Sequence, residues 1–233
     1  MKEILRTGLD QLGLRCEEDF LTDLVTFSQL LIERNKVMNL TAITEPRDVA
    51  TLHFLDCAAL LNFADFAGKK VIDVGTGAGF PGLPLRILQR NFTITLLDSL
   101  NKRVDFLESV VNVLALPATE CVHARAEEYA ARHRETFDIA TSRAVASLPV
   151  LSELCLPLVK VGGKFLAMKS VDTEEEINSS KAAIAKLGGK ITAVKDYAVP
   201  MTDVTHRVVI IEKVSPTPAA YPRAFAKIKK QPL

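Results

Sequence analysis

This sequence has no unbroken apolar run of about 18 residues, the length a transmembrane helix needs. Its cysteines, Cys16, Cys57, Cys121 and Cys155, are scattered without a Cys-x-x-Cys pair, and His53, His123, His133 and His206 show no ligand spacing. That pattern excludes a zinc ribbon and a disulfide frame; we expect reduced, mostly buried thiols and no metal site. A charge excess is missing too. The net charge of +1 excludes a polycationic nucleic-acid coat. Lys2, Glu3, Arg6 and Asp10 interleave with the first apolar residues, which is unlike a signal peptide, so a cytoplasmic protein is expected. No internal repeat or low-complexity segment stands out. What remains is an ordinary globular composition, 48% apolar and 24% charged over 233 residues. That is enough for one substantial α/β domain with an appendage.

The most informative stretch runs from Lys70 to Leu85. A β-branched run ends in Asp73, four glycines follow (Gly75, Gly77, Gly79, Gly82), and an apolar-periodic segment from Leu83 to Leu88 reads as helix. Strand, glycine turn and helix form the unit that brings backbone close to a nucleotide-like ligand. Two ligand classes compete for it. Gly77 to Gly82 matches the G-x-G-x-x-G of dinucleotide folds, and Gly75 to Gly79 matches the G-x-G-x-G of S-adenosylmethionine (AdoMet) sites. A carboxylate at Asp73 would repel a pyrophosphate and suit a sulfonium with its amino acid moiety. Pro81 and Pro84 restrict the backbone where a dinucleotide helix would begin. The balance favours AdoMet.

Residues 1–65 read as a helical cap, with Leu21, Leu24, Val25, Phe27, Leu31 and Ile32 on one helix that ends near Asn35. A second helical segment, from Asp48 through Leu60, starts at Pro46. From residue 66 to 214, strands alternate with helices, the mark of a parallel α/β core. Strands are expected over the β-branched run that ends in Asp73 and over Phe92–Asp98, Glu120–His123, Phe137–Ser142, Val161–Lys169, Lys190–Ala198 and Arg207–Lys213, the last two as a late pair. Thr173 with Glu176 has the capping-box spacing, which makes Glu174 to Glu176 a complement to a helix dipole rather than a metal site. The tail, 215–233, is basic: Arg223, Lys227, Lys229 and Lys230 have no acidic neighbour after Tyr221. Such a tail is either a frayed terminus or a phosphate-contacting arm.

In a parallel sheet, ligands lie beyond the carboxyl ends of the strands. Asp98 there suits a ribose diol, with a helix N-cap as its alternative. Ala126 and Glu127 follow the third strand and suit an adenine, although a first-turn glutamate is also a dipole complement. Arg143 ends the fourth strand and should face the cleft. Arg125, Lys169, Arg207 and Arg223 are candidate RNA contacts, and His53 reads as a packing or capping residue.

Taken together, these segments resemble the bacterial small-subunit ribosomal RNA guanine-N7 methyltransferases, the RsmG or glucose-inhibited division protein B family. The resemblance is carried by Asn35-Lys36 with Asn39-Leu40-Thr41, His53-Phe54-Leu55-Asp56, Val71 to Leu85, Leu96 to Arg103, Ser142-Arg143-Ala144, Ala167-Met168-Lys169 and Tyr221-Pro222-Arg223. It implies a class I, Rossmann-like fold with a seven-stranded, mostly parallel sheet. It also implies transfer of a methyl group from AdoMet to N7 of one guanosine in 16S rRNA, giving 7-methylguanosine. Family cofactor contacts map onto Gly75, Phe80, Ala126, Glu127 and Arg143. Departures include Arg34 in place of a common aromatic, Cys57 in place of a serine, Ala224-Phe225-Ala226 in the tail and the absence of tryptophan. The expected partner is the small ribosomal subunit or its RNA, met by a monomer without membrane or metal. No catalytic acid or base is assigned. The rivals are a small-molecule or protein methyltransferase, a non-catalytic binding module of the ribosome and, last, a dehydrogenase.

Overall fold

The computed structural model of the chain describes residues 1–143 and 146–233. Seven strands form one sheet: β1 (Lys70–Val74), β2 (Thr93–Asp98), β3 (Thr119–His123), β4 (Phe137–Arg143), β5 (Val159–Ser170), β6 (Gly189–Ala198) and β7 (Thr205–Lys213). Their order is β3-β2-β1-β4-β5-β7-β6. Pairing is parallel from β3 through β5, and β7 runs antiparallel to both β5 and β6. This is the expected seven-stranded sheet with its late hairpin.

Alternation along the strands explains the layers. Val71, Ile94, Leu96, Ile139, Leu166, Val208 and Ile210 face one apolar cluster. Ile72, Val74, Leu97, Ala140, Phe165, Val209 and Ile211 face another. Both sheet faces are therefore covered, as a parallel sheet requires. On the first face lie α1 (Lys2–Gln11) and α2 (Glu18–Met38). A composite helix follows them: α3 (Pro46–Asp48), a π-helical stretch (Val49–Leu55), α4 (Asp56–Ala58) and a 3₁₀ turn (Ala59–Asn62). Leu5, Leu24, Phe27 and Phe54 of these helices belong to the same cluster as the sheet residues, so cap and core share one interior. α2 runs three residues beyond Asn35, to Met38, and the left-handed Asn39 (φ 48°) stops it.

The remaining helices are α5 (Gly82–Leu88), α6 (Asn101–Val113), α7 (Ala126–Arg132), α8 (Leu148–Cys155), α9 (Glu174–Lys186) and α10 (Phe225–Lys230). The capping box expected at Thr173 is not made. The Thr173 hydroxyl donates to the Ser170 carbonyl (2.9 Å), and Glu176 accepts from the Leu148 amide and from Lys169 Nζ (2.8 Å). Glu176 thus caps α8 rather than its own helix. The basic tail also differs from a frayed arm. Glu153, fully buried on α8, accepts three hydrogen bonds from Arg223, two of them a fork from Nε (2.8 Å) and Nη2 (2.6 Å). Ile228 of α10 is buried in the second cluster. The fork and the apolar anchor fix the tail against the core.

Candidate functional site

The chain leaves β1 for β2 and β3 on one side, then returns to β4 on the other, so β1 and β4 form the topological switch where a crevice must open. A cavity of about 470 Å³ lies there, within the usual size of a small-molecule site. Its floor is the glycine loop after β1. The Leu97 carbonyl accepts from the Gly75 and Thr76 amides (2.9 and 3.1 Å), and Asp98 Oδ2 accepts from the Gly77 amide (2.9 Å). Gly77 has φ of +61°, and a Cβ there would meet only the Gly75 carbonyl at 4.0 Å, so the loop presents bare backbone to the opening. Gly79 serves a different purpose. It has φ of +100°, and a Cβ on it would lie 2.4 Å from Leu83 Cδ1, so its bareness lets α5 close on the loop. Gly75, Gly77 and Phe80 line the cavity and Gly79 does not.

Asp73 is placed otherwise than its position at the strand end suggested. It is fully buried, beneath the loop. Oδ2 accepts from the Thr76 hydroxyl (2.6 Å) and the Gly82 amide (2.8 Å), and Oδ1 accepts from Thr141 (3.2 Å). Burial raises its pKa to about 6 against these three bonds. Its side chain faces inward on the Val71 side of the strand, so it shapes the loop and does not line the cavity. Buried there, Asp73 neither repels a pyrophosphate nor meets a sulfonium in the cavity, and the ligand choice rests on the rest of the site.

Asp98 ends β2 on the cavity wall, and its other oxygen accepts from the Leu100 amide (3.0 Å). The cavity placement holds and the N-cap alternative does not: α6 begins at Asn101 with Leu100 as its N-cap, and Asp98 only braces the turn before it. Arg125, Ala126 and Glu127 continue the wall at the start of α7. Arg125 lies over the ring of Phe225, 5.5 Å from its centroid, which brings the tail to the cavity. Among the four basic residues expected to meet RNA, Arg125 alone lines the cavity. Lys169 donates to Glu176 (2.8 Å) and to the Ala146 carbonyl (3.1 Å); Arg207 is forked onto Asp196 (2.6 and 2.9 Å) and paired with Glu174; Arg223 is held by Glu153. Those three charges are already neutralised within the fold, which corrects the expectation that they are available to phosphate.

The opposite wall comes from the cap. Arg143, at the end of β4, reaches across the sheet edge rather than into open solvent. It donates to the Leu52 carbonyl (3.2 Å), Asp56 Oδ2 (3.1 Å) and His53 Nδ1 (3.0 Å), and lies 4.8 Å from the centroid of the Phe80 ring. Its neighbour Ala144 in the Ser142-Arg143-Ala144 motif lies outside the described residues. Asp56 is almost fully buried and also accepts from the Tyr197 hydroxyl (2.9 Å) and His206 Nδ1 (2.8 Å). His53 stacks on Phe80 (centroids 4.3 Å apart) and its Nε2 lies 2.8 Å from Thr41 Oγ1. Burial, with Arg143 beside it, lowers the His53 pKa to about 3, so the ring is neutral. His53 packs as expected, yet it and Thr41 also line the cavity, a role the sequence reading did not give them. The signal lay in the motifs Asn39-Leu40-Thr41 and His53 to Asp56. His53 and Asp56 are polar residues inside a buried helical stretch, and Thr41 follows the end of α2.

Residues 21–205 match the family model described as GidB, rRNA small subunit methyltransferase G. A ribosomal RNA small subunit methyltransferase G from Clostridium perfringens (strain SM101 / Type A) is 46% identical over 99% of this chain and 98% of its own. The chain belongs to this family. Its relative from Alkaliphilus metalliredigens is 46% identical over 100% of this chain and 98% of its own. Among solved structures, TrmN from Thermus thermophilus aligns with a TM-score of 0.54 at 20% identity, over 68% of this chain and 48% of that one. M. jannaschii TYW2 in complex with AdoMet aligns with a TM-score of 0.54 at 14% identity, over 66% and 74%. At these identities the likeness is one of fold, and the fold is that of class I methyltransferases. The chain is a methyltransferase by family. Among the described residues no helix is long and apolar enough to cross a membrane, and no group of three or more His, Cys, Asp or Glu is placed to hold a metal ion.

Proposed function

We propose that the protein transfers a methyl group from AdoMet to N7 of a specific guanosine in 16S rRNA of the small ribosomal subunit, in the cytoplasm and as a monomer. The observation that carries this reading is the cavity at the β1/β4 switch point: bare glycine backbone and Asp98 form one wall, and cap residues form the other, in a chain of the rRNA small subunit methyltransferase G family. AdoMet supplies an electrophilic methyl on a cationic sulfonium. The residues fit it. Gly77 opens straight onto the cavity, with no atom nearer to its ideal Cβ than 4.0 Å. Asp98 offers carboxylate oxygens for a diol, and Ala126 and Glu127 continue that wall toward an adenine. Gly75 and Phe80 complete the contacts, while Asp73 and Gly79 act from behind by shaping the loop. Arg143 holds the cap residues at the cavity edge. Of the four candidate RNA contacts, Arg125 is the one on the cavity wall, and the exposed Lys227, Lys229 and Lys230 of α10 are further candidates for phosphate. In this division of labour residues 1–65 are the cap, 66–214 hold the cofactor and 215–233 brace the opening.

N7 of guanine presents a lone pair in the base plane and no proton, so attack needs no general base. The cavity is consistent with that. The His53 lone pair at Nδ1 is taken by Arg143, which leaves the imidazole no basic site toward the opening. Catalysis therefore rests on in-line positioning, worth roughly 7–11 kcal/mol at best. Calorimetric titration tests the ligand choice. AdoMet should bind and NAD should not, and Asp98→Ala should weaken AdoMet binding about tenfold or more; equal binding of both ligands would overturn the reading.

A further inference from the structure

The Asn39-Leu40-Thr41 segment has no task in the account so far, yet it is held tightly. The Asn35 side-chain amide clamps the Thr41 peptide from both ends: Oδ1 accepts from the Thr41 amide (2.9 Å) and Nδ2 donates to the Thr41 carbonyl (2.9 Å). The hydroxyl is fixed as well. Arg143 is a guanidinium and can only donate, so His53 Nδ1, 3.0 Å from it, must be the acceptor. The proton of the neutral ring is then on Nε2, which donates to Thr41 Oγ1 at 2.8 Å. The Ile43 amide donates to the same oxygen at 3.0 Å. Both lone pairs of Oγ1 are thereby taken. What remains to the hydroxyl is its proton, on a residue that lines the cavity. Arg143, His53 and Thr41 form a chain of hydrogen bonds that all point the same way, and a chain headed by a cation polarises its last donor.

We propose that Thr41 determines base specificity by donating its hydroxyl hydrogen to O6 of the target guanine. The inference rests on the reading that guanine N7 is the methyl acceptor. O6 lies on the same edge as N7; adenine carries an amino donor at that place, which would face another donor. Methylation at N7 draws electron density away from O6, so this bond selects and orients the base and does not stabilise the transition state. Its signature is discrimination between bases, with cofactor affinity untouched.

The test uses small subunits reconstituted with 16S rRNA that carries either guanosine or 2-aminopurine ribonucleoside at the methylated position. 2-Aminopurine keeps N7 and lacks O6. Methyl transfer from radiolabelled AdoMet gives kcat/KM for each RNA, and calorimetry gives the AdoMet Kd. For Thr41→Val, kcat/KM on guanosine should fall about tenfold. Its kcat/KM on 2-aminopurine should stay the same, so the ratio between the two collapses. Thr41→Ser, which keeps the donor, should restore the ratio. A wild-type ratio in Thr41→Val overturns the proposal, and so does a loss of AdoMet affinity as large as the loss of rate. If the wild-type protein forms no 7-methylguanosine in guanosine-bearing subunits, the N7 reading fails and this inference fails with it.

Discussion

Asp73 shows how a carboxylate is used when no ligand touches it. Three donors reach it, and burial still lifts its pKa from 3.8 to about 6. A folded-state pKa above the unfolded one adds stability that is complete below pH 3.8 and is lost as the pH rises through about 6. At pH 7 the native state therefore carries an ionised buried group at a cost of about 3 kcal/mol. Asp73→Asn does not titrate. The melting temperature of the wild type relative to this variant should fall between pH 4 and pH 7, which thermal unfolding across that range measures; a constant difference would place the strain elsewhere. The sequence reading found this residue and misjudged its direction. An acid at the end of a strand is visible in sequence, but which face its side chain takes depends on Thr76, Gly82 and Thr141 closing on it. Asp98 was legible because it ends the second strand, the place where a parallel sheet meets its ligand, although it does not cap the helix that follows.

Among the elements, the joint between the π-helical stretch and the sheet decides how the cavity is shaped. Phe27 of α2, Phe54 and Phe80 pack as a triangle of rings, with the Phe27 centroid 5.4 Å from each of the other two, which ties the cap to the glycine loop. Asp56 gathers Arg143 from β4, Tyr197 from β6 and His206 from β7. Arg143→Ala leaves Asp56 without its guanidinium in a buried place. Denaturant unfolding should show a loss of about 3–5 kcal/mol, and activity per folded molecule should fall at least about tenfold, because His53 and Thr41 lose the group that orients them. Unchanged turnover would remove Arg143 from the site. Such joints were invisible in the sequence, where Asp56 and His206 are 150 residues apart. The strands were legible, since β-branched runs bounded by turns need no partner to be recognised. The same distance effect misled the reading of basic side chains. Lys169, Arg207 and Arg223 look free in sequence, and each finds its acid on an element packed only in the fold.

At the scale of the whole molecule, the tail is held against the core and reaches the opening rather than trailing from it. Arg134 donates to the carbonyls of Tyr221 (2.6 Å) and Pro218 (2.9 Å), the Arg223–Glu153 fork anchors the chain, and Phe225 then reaches the cavity beside Arg125. Cap, glycine loop and tail thus meet around one opening built on the switch point of the sheet. That convergence is what a reaction without a general base requires, because its rate depends on where two ligands are held. The direct measurement is nucleoside mass spectrometry of small subunits lacking the modification, and separately of naked 16S rRNA, each incubated with the protein and AdoMet. The account predicts 7-methylguanosine that appears only when both protein and AdoMet are present. Tight AdoMet binding with no methylated guanosine in either RNA would leave the fold standing and contradict the rRNA assignment.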